Sequence, residues 1–97
     1  MEDPKIKVLL VEDNPDDVLL TREMIKAKGA GRFQLSVEGT LAGSLSCLRK
    51  EPFDLILLDL NLPDSRGLAT LKSLQGNVEH LAIVVITAMD EGMVAIE

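Results

Sequence analysis

At 97 residues, 46% of them hydrophobic, the chain has the material for one small domain. Ten Lys and Arg against 16 Asp and Glu leave a formal charge of −6, which argues against a nucleic-acid surface and against binding to an anionic membrane. The single cysteine, Cys47, excludes a disulfide framework within the chain and points to a reducing compartment.

Aromatic residues make up only 2% of the sequence, so the core must be built from Leu, Ile, Val, Ala and Met. Such a core suits strands flanked by helices better than a small barrel. The opening Met1-Glu2-Asp3-Pro4 is too acidic for a signal peptide, and no apolar run approaches the length of a membrane span. A cytoplasmic location is expected.

The first element is the apolar run Ile6 to Val11. Like Leu55 to Leu58 and Leu81 to Ile86 further on, it is continuous rather than alternating, the pattern of a strand covered on both faces. Asn14 then caps a helix with Pro15 at its first position and Asp16 and Asp17 in its first turn. Val18, Thr21, Met24, Ile25 and Lys28 share one side of it, Leu19 falls on the polar side, and Gly29 is a fitting stop. Phe33, Gln34, Leu35, Ser36 and Val37 alternate, which predicts an edge strand with Phe33, Leu35 and Val37 on one face. A second helix carries Leu41, Leu45 and Leu48 and ends before Pro52. A third, from near Gly67 to near Gly76, groups Leu68, Leu71 and Leu74. A fourth is expected to start around Asp90 and to carry Val94. Strand and helix thus alternate four times, which implies βαβ units, right-handed crossovers and a parallel sheet.

In open α/β sheets, ligands bind beyond the carboxyl ends of the strands. Glu12 and Asp13 follow the first strand, Asp59 the third and Thr87 the fourth. Three carboxylates brought together would repel one another unless their pKa values rose or a cation held them. A hard divalent ion with oxygen ligands fits best, which favours Mg²⁺; no His or Cys lies near these positions to suit zinc. A carboxylate beside Mg²⁺ can attack phosphorus and form an acyl phosphate. Thr87 could hydrogen-bond a phosphate oxygen, and the backbone carbonyl of Asn61, two residues past Asp59, could complete the metal shell. Taken singly, Asp13 and Asp16 read as solvated loop or capping residues, Asp64 as a turn or helix-start residue, Cys47 as inert and His80 as a surface loop residue.

Val11-Glu12-Asp13-Asn14-Pro15, Leu57-Leu58-Asp59-Leu60-Asn61-Leu62-Pro63-Asp64, Gly67-Leu68 and Val85-Ile86-Thr87-Ala88 closely resemble the receiver domain of two-component response regulators. The resemblance runs over essentially the whole chain, 1–97, with the motifs in order. It implies a flavodoxin-like, doubly wound parallel sheet in order 2-1-3-4-5 with five helices. It implies Asp59 as phosphoacceptor, Glu12 and Asp13 as the metal-binding acidic pair, and the Asn61 carbonyl as a further Mg²⁺ ligand. Thr87, with Ala88 beside it, matches the switch position that contacts the phosphoryl group. The phosphoryl donor implied is a sensor histidine kinase or phosphotransfer protein.

The family also carries a lysine at the end of a fifth strand, and no Lys occurs here after Lys72. The expectation is a receiver incomplete at its C-terminus, with sheet order 2-1-3-4 and the fifth strand and helix missing. Residues 81–87 would then form an uncharged, exposed edge strand, a template for a homodimer or a strand-swapped assembly. Two other functions compete. A Mg²⁺-dependent phosphohydrolase would want a second acid two residues after its nucleophile, where this chain has Asn61. A receiver-like interaction module would not be efficiently phosphorylated.

Overall fold

The computed structural model describes residues 5–29, 31–78, 81–86 and 93–96. Ten elements follow in order: β1 (Ile6–Val11), α1 (Pro15–Gly29), β2 (Phe33–Glu38), α2 (Leu41–Lys50), β3 (Leu55–Asp59), β4 (Asn61–Leu62), β5 (Ser65–Arg66), α3 (Leu68–Gln75), β6 (Ala82–Ile86) and β7 (Met93–Ile96). The main sheet runs β2-β1-β3-β6-β7. Its first four strands are parallel, in the expected order; β6 and β7 pair antiparallel.

The continuous apolar runs are explained by cover on both faces. Along β1, Leu9 and Val11 join the core beneath α2 and α3, with Ile56, Leu58, Leu71 and Leu74. Val8 and Leu10 point the other way, into a smaller core with Leu57, where α1 contributes Val18 and Ile25. Phe33, Leu35 and Val37 of the edge strand β2 pack against this second core, as their alternation predicts.

The start of α1 forms as read: Asn14 Oδ1 accepts from the N–H groups of Asp16 (2.8 Å) and Asp17 (3.3 Å). Asp16 and Asp17 stand at the positive end of the helix dipole, Lys26 and Lys28 at the negative end. At α2, Thr40 is the N-cap, its Oγ1 accepting from Gly43 N–H at 2.9 Å.

Three expectations are corrected. The helix that was to carry Val94 is the strand β7, in which Val94 pairs with Val85; Asp90, its expected start, lies outside the described residues. Met93-Val94-Ala95-Ile96 is short, apolar and partly β-branched, and the outer rim of β6 offers it a ready row of backbone partners. The strand expected at 81–87 is described as β6 over Ala82–Ile86, and it is no exposed edge: β3 lies on one side and β7 on the other, so the premise of association through it does not hold. Being antiparallel to β6, β7 is not the fifth parallel strand that the resemblance implies. Finally, Leu68 does not share the inner face of α3 with Leu71 and Leu74; it is 64% exposed. At the first position of the helix it lies before the packed turn.

Candidate functional site

The parallel sheet decides which residues meet. β1 and β3 are adjacent, with Val11 opposite Leu58, so the chain leaves both strands at the same edge. Glu12 N–H still bonds the Glu38 carbonyl at 2.9 Å, which extends the β1 ladder by one residue and fixes where the Glu12 side chain starts. Asp59 is the last residue of β3. Carboxylate oxygens of Glu12, Asp13 and Asp59 consequently all lie within 4.8 Å of one another.

The three acids differ in exposure. Glu12 is 7% exposed and Asp59 9%, whereas Asp13 is open to solvent. Burial pushes the Glu12 carboxyl up from 4.5 to about 8, helped by a hydrogen bond to Asp59 and by the Asp59 charge. The N–H of Asn14, 3.5 Å from Glu12 Oε2, acts weakly in the other direction. Among the described residues, no Lys or Arg pairs with any of the three acids. The site is an acidic pocket short of positive charge, with hard oxygen donors only.

Asn61 follows as the first residue of β4, and its N–H donates to Asp59 Oδ1 at 3.2 Å. The segment after Asp59 is a miniature hairpin, with Asn61 opposite Arg66 and Leu62 opposite Ser65. Gly67 closes it by donating its N–H to the Leu60 carbonyl at 2.7 Å, with φ at +68°, a conformation that favours glycine. Thr87, Ala88 and His80 lie outside the described residues.

One feature of the site region was not legible in the sequence. Asp64, at the hairpin turn, accepts from Leu41 N–H (2.8 Å) and Ala42 N–H (3.0 Å) at the start of α2. These bonds hold its carboxyl below the ordinary carboxylate value. The residue before it is Pro63, so local rules read Asp64 as a turn residue, and a partner 23 positions away leaves no local signal.

Glu12, Asp13 and Asp59 thus converge at one sheet edge, and comparison with known proteins decides the family. The model of the response regulator receiver domain matches residues 8–97. The chain belongs to this family.

Among curated proteins, this receiver is 34% identical over 84 residues to the sensor protein TorS of Escherichia coli (strain K12), covering 86% of this chain and 9% of that protein. It is 34% identical over 85 residues to the swarming motility regulation protein RssB of Serratia marcescens, covering 88% and 37%. The chain thus spans well under two thirds of the length of either relative. Among solved structures, the MaeR response regulator bound to beryllium trifluoride is 28% identical with a TM-score of 0.76, over 89% of this chain and 70% of that one. The phosphorylated cyanobacterial phytochrome response regulator RcpA is 26% identical with a TM-score of 0.75, over 90% and 68%. The receiver fold of two-component systems therefore accounts for the order β2-β1-β3-β6 of the parallel strands. No helix among the described residues is long and apolar enough to cross a membrane.

Proposed function

We propose that residues 1–97 form a receiver that binds Mg²⁺ and accepts a phosphoryl group on Asp59 from a sensor histidine kinase or phosphotransfer protein, and that it works in the cytoplasm. The observation that carries this is the meeting of Glu12, Asp13 and Asp59 within 4.8 Å, with no Lys or Arg among the described residues paired to them. MaeR bound to beryllium trifluoride and phosphorylated RcpA, both similar to this chain, support it.

The donor set suits Mg²⁺. Glu12, Asp13, Asp59 and the Asn61 carbonyl offer only hard oxygens, and the raised pKa of Glu12 marks a pocket that a cation would relieve. Bound there, the ion would neutralise the acids and the oxygens of an incoming phosphoryl group.

The chain's own residues have distinct parts. Asp59 presents a carboxylate oxygen to the phosphorus of a phosphohistidine. Its O–P bond forms as the P–N bond to the imidazole breaks, and that nitrogen takes a proton from solvent. Glu12, deeper in the pocket, gives up its proton when the positive charge enters. Asp13, exposed, stands at the mouth. Asn61 N–H, on Asp59 Oδ1, orients the acceptor so that its other oxygen is free to react. Thr87 and Ala88 are assigned to the phosphoryl contact from sequence position alone. The output is a change in protein contacts.

Beryllium fluoride with Mg²⁺, followed by ¹⁹F NMR on the wild type and Asp59→Asn, tests the reading. Saturable binding that disappears in Asp59→Asn is expected. A wild type that binds neither ion nor mimic would leave a receiver-like interaction module instead, and steady turnover of small phosphate esters would indicate a hydrolase.

A further inference from the structure

The hairpin β4–β5 has two residues in each strand, too few to hold itself together. Contacts outside the ladder secure it, among them the 2.6 Å hydrogen bond between Ser65 Oγ and Thr70 Oγ1 of α3. Gly67 N–H on the Leu60 carbonyl closes its base. Leu62 is buried in the main core and anchors one side. At the turn, the Asp64 carboxylate takes the N–H groups of Leu41 and Ala42, one oxygen to each.

At α2, these bonds complete a set. The first N–H groups of a helix have no partner within it. Asp64 takes those of Leu41 and Ala42, and Thr40 takes that of Gly43. The cap is thus split between a local residue and one 22 to 23 positions along the chain, and only the distant one ties α2 to the segment after Asp59. An anion at this end is also favoured by the helix dipole.

We infer that Asp64 is a positioning residue for the acidic site: by clamping the hairpin turn to α2, it holds the Asn61 carbonyl in register beside Asp59. This rests on the proposed reading of Asn61 as a Mg²⁺ ligand. Asp64 itself touches neither ion nor phosphoryl group. Freed from α2, the hairpin keeps its base, its buried leucine and the Ser65 bond to α3 but loses its tie at the turn, and the Asn61 backbone samples orientations that do not present its carbonyl to the acidic site.

Isothermal titration with Mg²⁺ alone, on the wild type, Asp64→Ala, Asp64→Asn and Thr40→Ala, tests this. Thr40→Ala damages the same helix end without touching the hairpin, so it reports what a merely structural loss does. Asp64→Ala is expected to weaken Mg²⁺ binding about tenfold, the low end for partners that orient metal ligands. Asp64→Asn, which keeps one acceptor oxygen, should fall between it and the wild type. Thr40→Ala should lower the melting temperature yet leave the affinity within about twofold. Wild-type affinity in Asp64→Ala, or an equal loss in Thr40→Ala, would overturn the inference while leaving the receiver reading intact. If the wild type binds no Mg²⁺, that reading fails, and amide exchange at Gly67 decides the clamp separately: faster exchange in Asp64→Ala but not Thr40→Ala upholds it, and equal exchange removes it.

Discussion

Glu12 lies one residue past β1, Asp59 ends the neighbouring β3, and their carboxyl oxygens come within 4.8 Å of each other at the sheet's carboxyl edge. In the metal-free protein Glu12 keeps its proton up to about 8, whereas the ordinary value is 4.5. Between those limits the folded state binds more protons than the unfolded state, so stability falls as pH rises. The full stability is present below the unfolded value and is lost as pH climbs through the folded one. The loss should be on the order of 1 kcal/mol, well short of the full conversion of 1.36 kcal/mol per unit, because water reaches the mouth of the site. Chemical denaturation across this range in EDTA should show the slope in the wild type and a flatter profile in Glu12→Gln.

Asp59→Asn removes the charge that faces Glu12. In metal-free buffer it should be the more stable protein, by about 1 kcal/mol. Magnesium should reverse the ranking: at a hundred times its dissociation constant it stabilises a one-site protein by about 2.7 kcal/mol, and the variant should gain far less. Thermal melts with and without Mg²⁺ measure both effects, and equal gains in the two proteins would count against Asp59 as a ligand.

Leu68 and Leu74 have the same chemistry on the same helix and opposite surroundings. Leu74 is fully buried in the core beneath α2 and α3, and Leu68 is exposed. Leu74→Ala should cost about 2–5 kcal/mol, and Leu68→Ala should stay within about 0.5 kcal/mol. Urea midpoints at equal slope compare them directly.

β7 shields β6, and a proline in it should expose that strand. Successive residues of a strand present their N–H groups to opposite sides, so one of Val94→Pro and Ala95→Pro must break a bond to β6. That variant should associate in a concentration-dependent way by light scattering, through the uncharged backbone of Ala82 to Ile86. If neither variant associates, β7 is not what protects the strand.

Much of the architecture was legible in local patterns. The apolar runs at 6–11 and 55–58 and the Asn14-Pro15 start of α1 are set by burial on two faces and by capping chemistry, which depend on near neighbours. The sequence also placed Glu12, Asp13 and Asp59 at strand ends, and the rule for parallel sheets turned those positions into one site. The misreadings share a cause. Val94 lies in a segment whose four residues suit either a helix start or a strand, and the open rim of β6 decided for the strand. Leu68 has helical spacing, but only the packing of α3 determines where its inner face begins.

By itself, then, the order of residues determined the strand and helix alternation and which acids could meet, because both follow from interactions over a few positions and from the pleat of a sheet. Only the tertiary structure decided that Glu12 would be buried beside Asp59, that Asp64 would cap a helix begun 23 residues earlier, and that β6 would be covered. Desolvation, hydrogen bonds and backbone pairing across space come into being only when distant segments are brought together, and no local pattern encodes them.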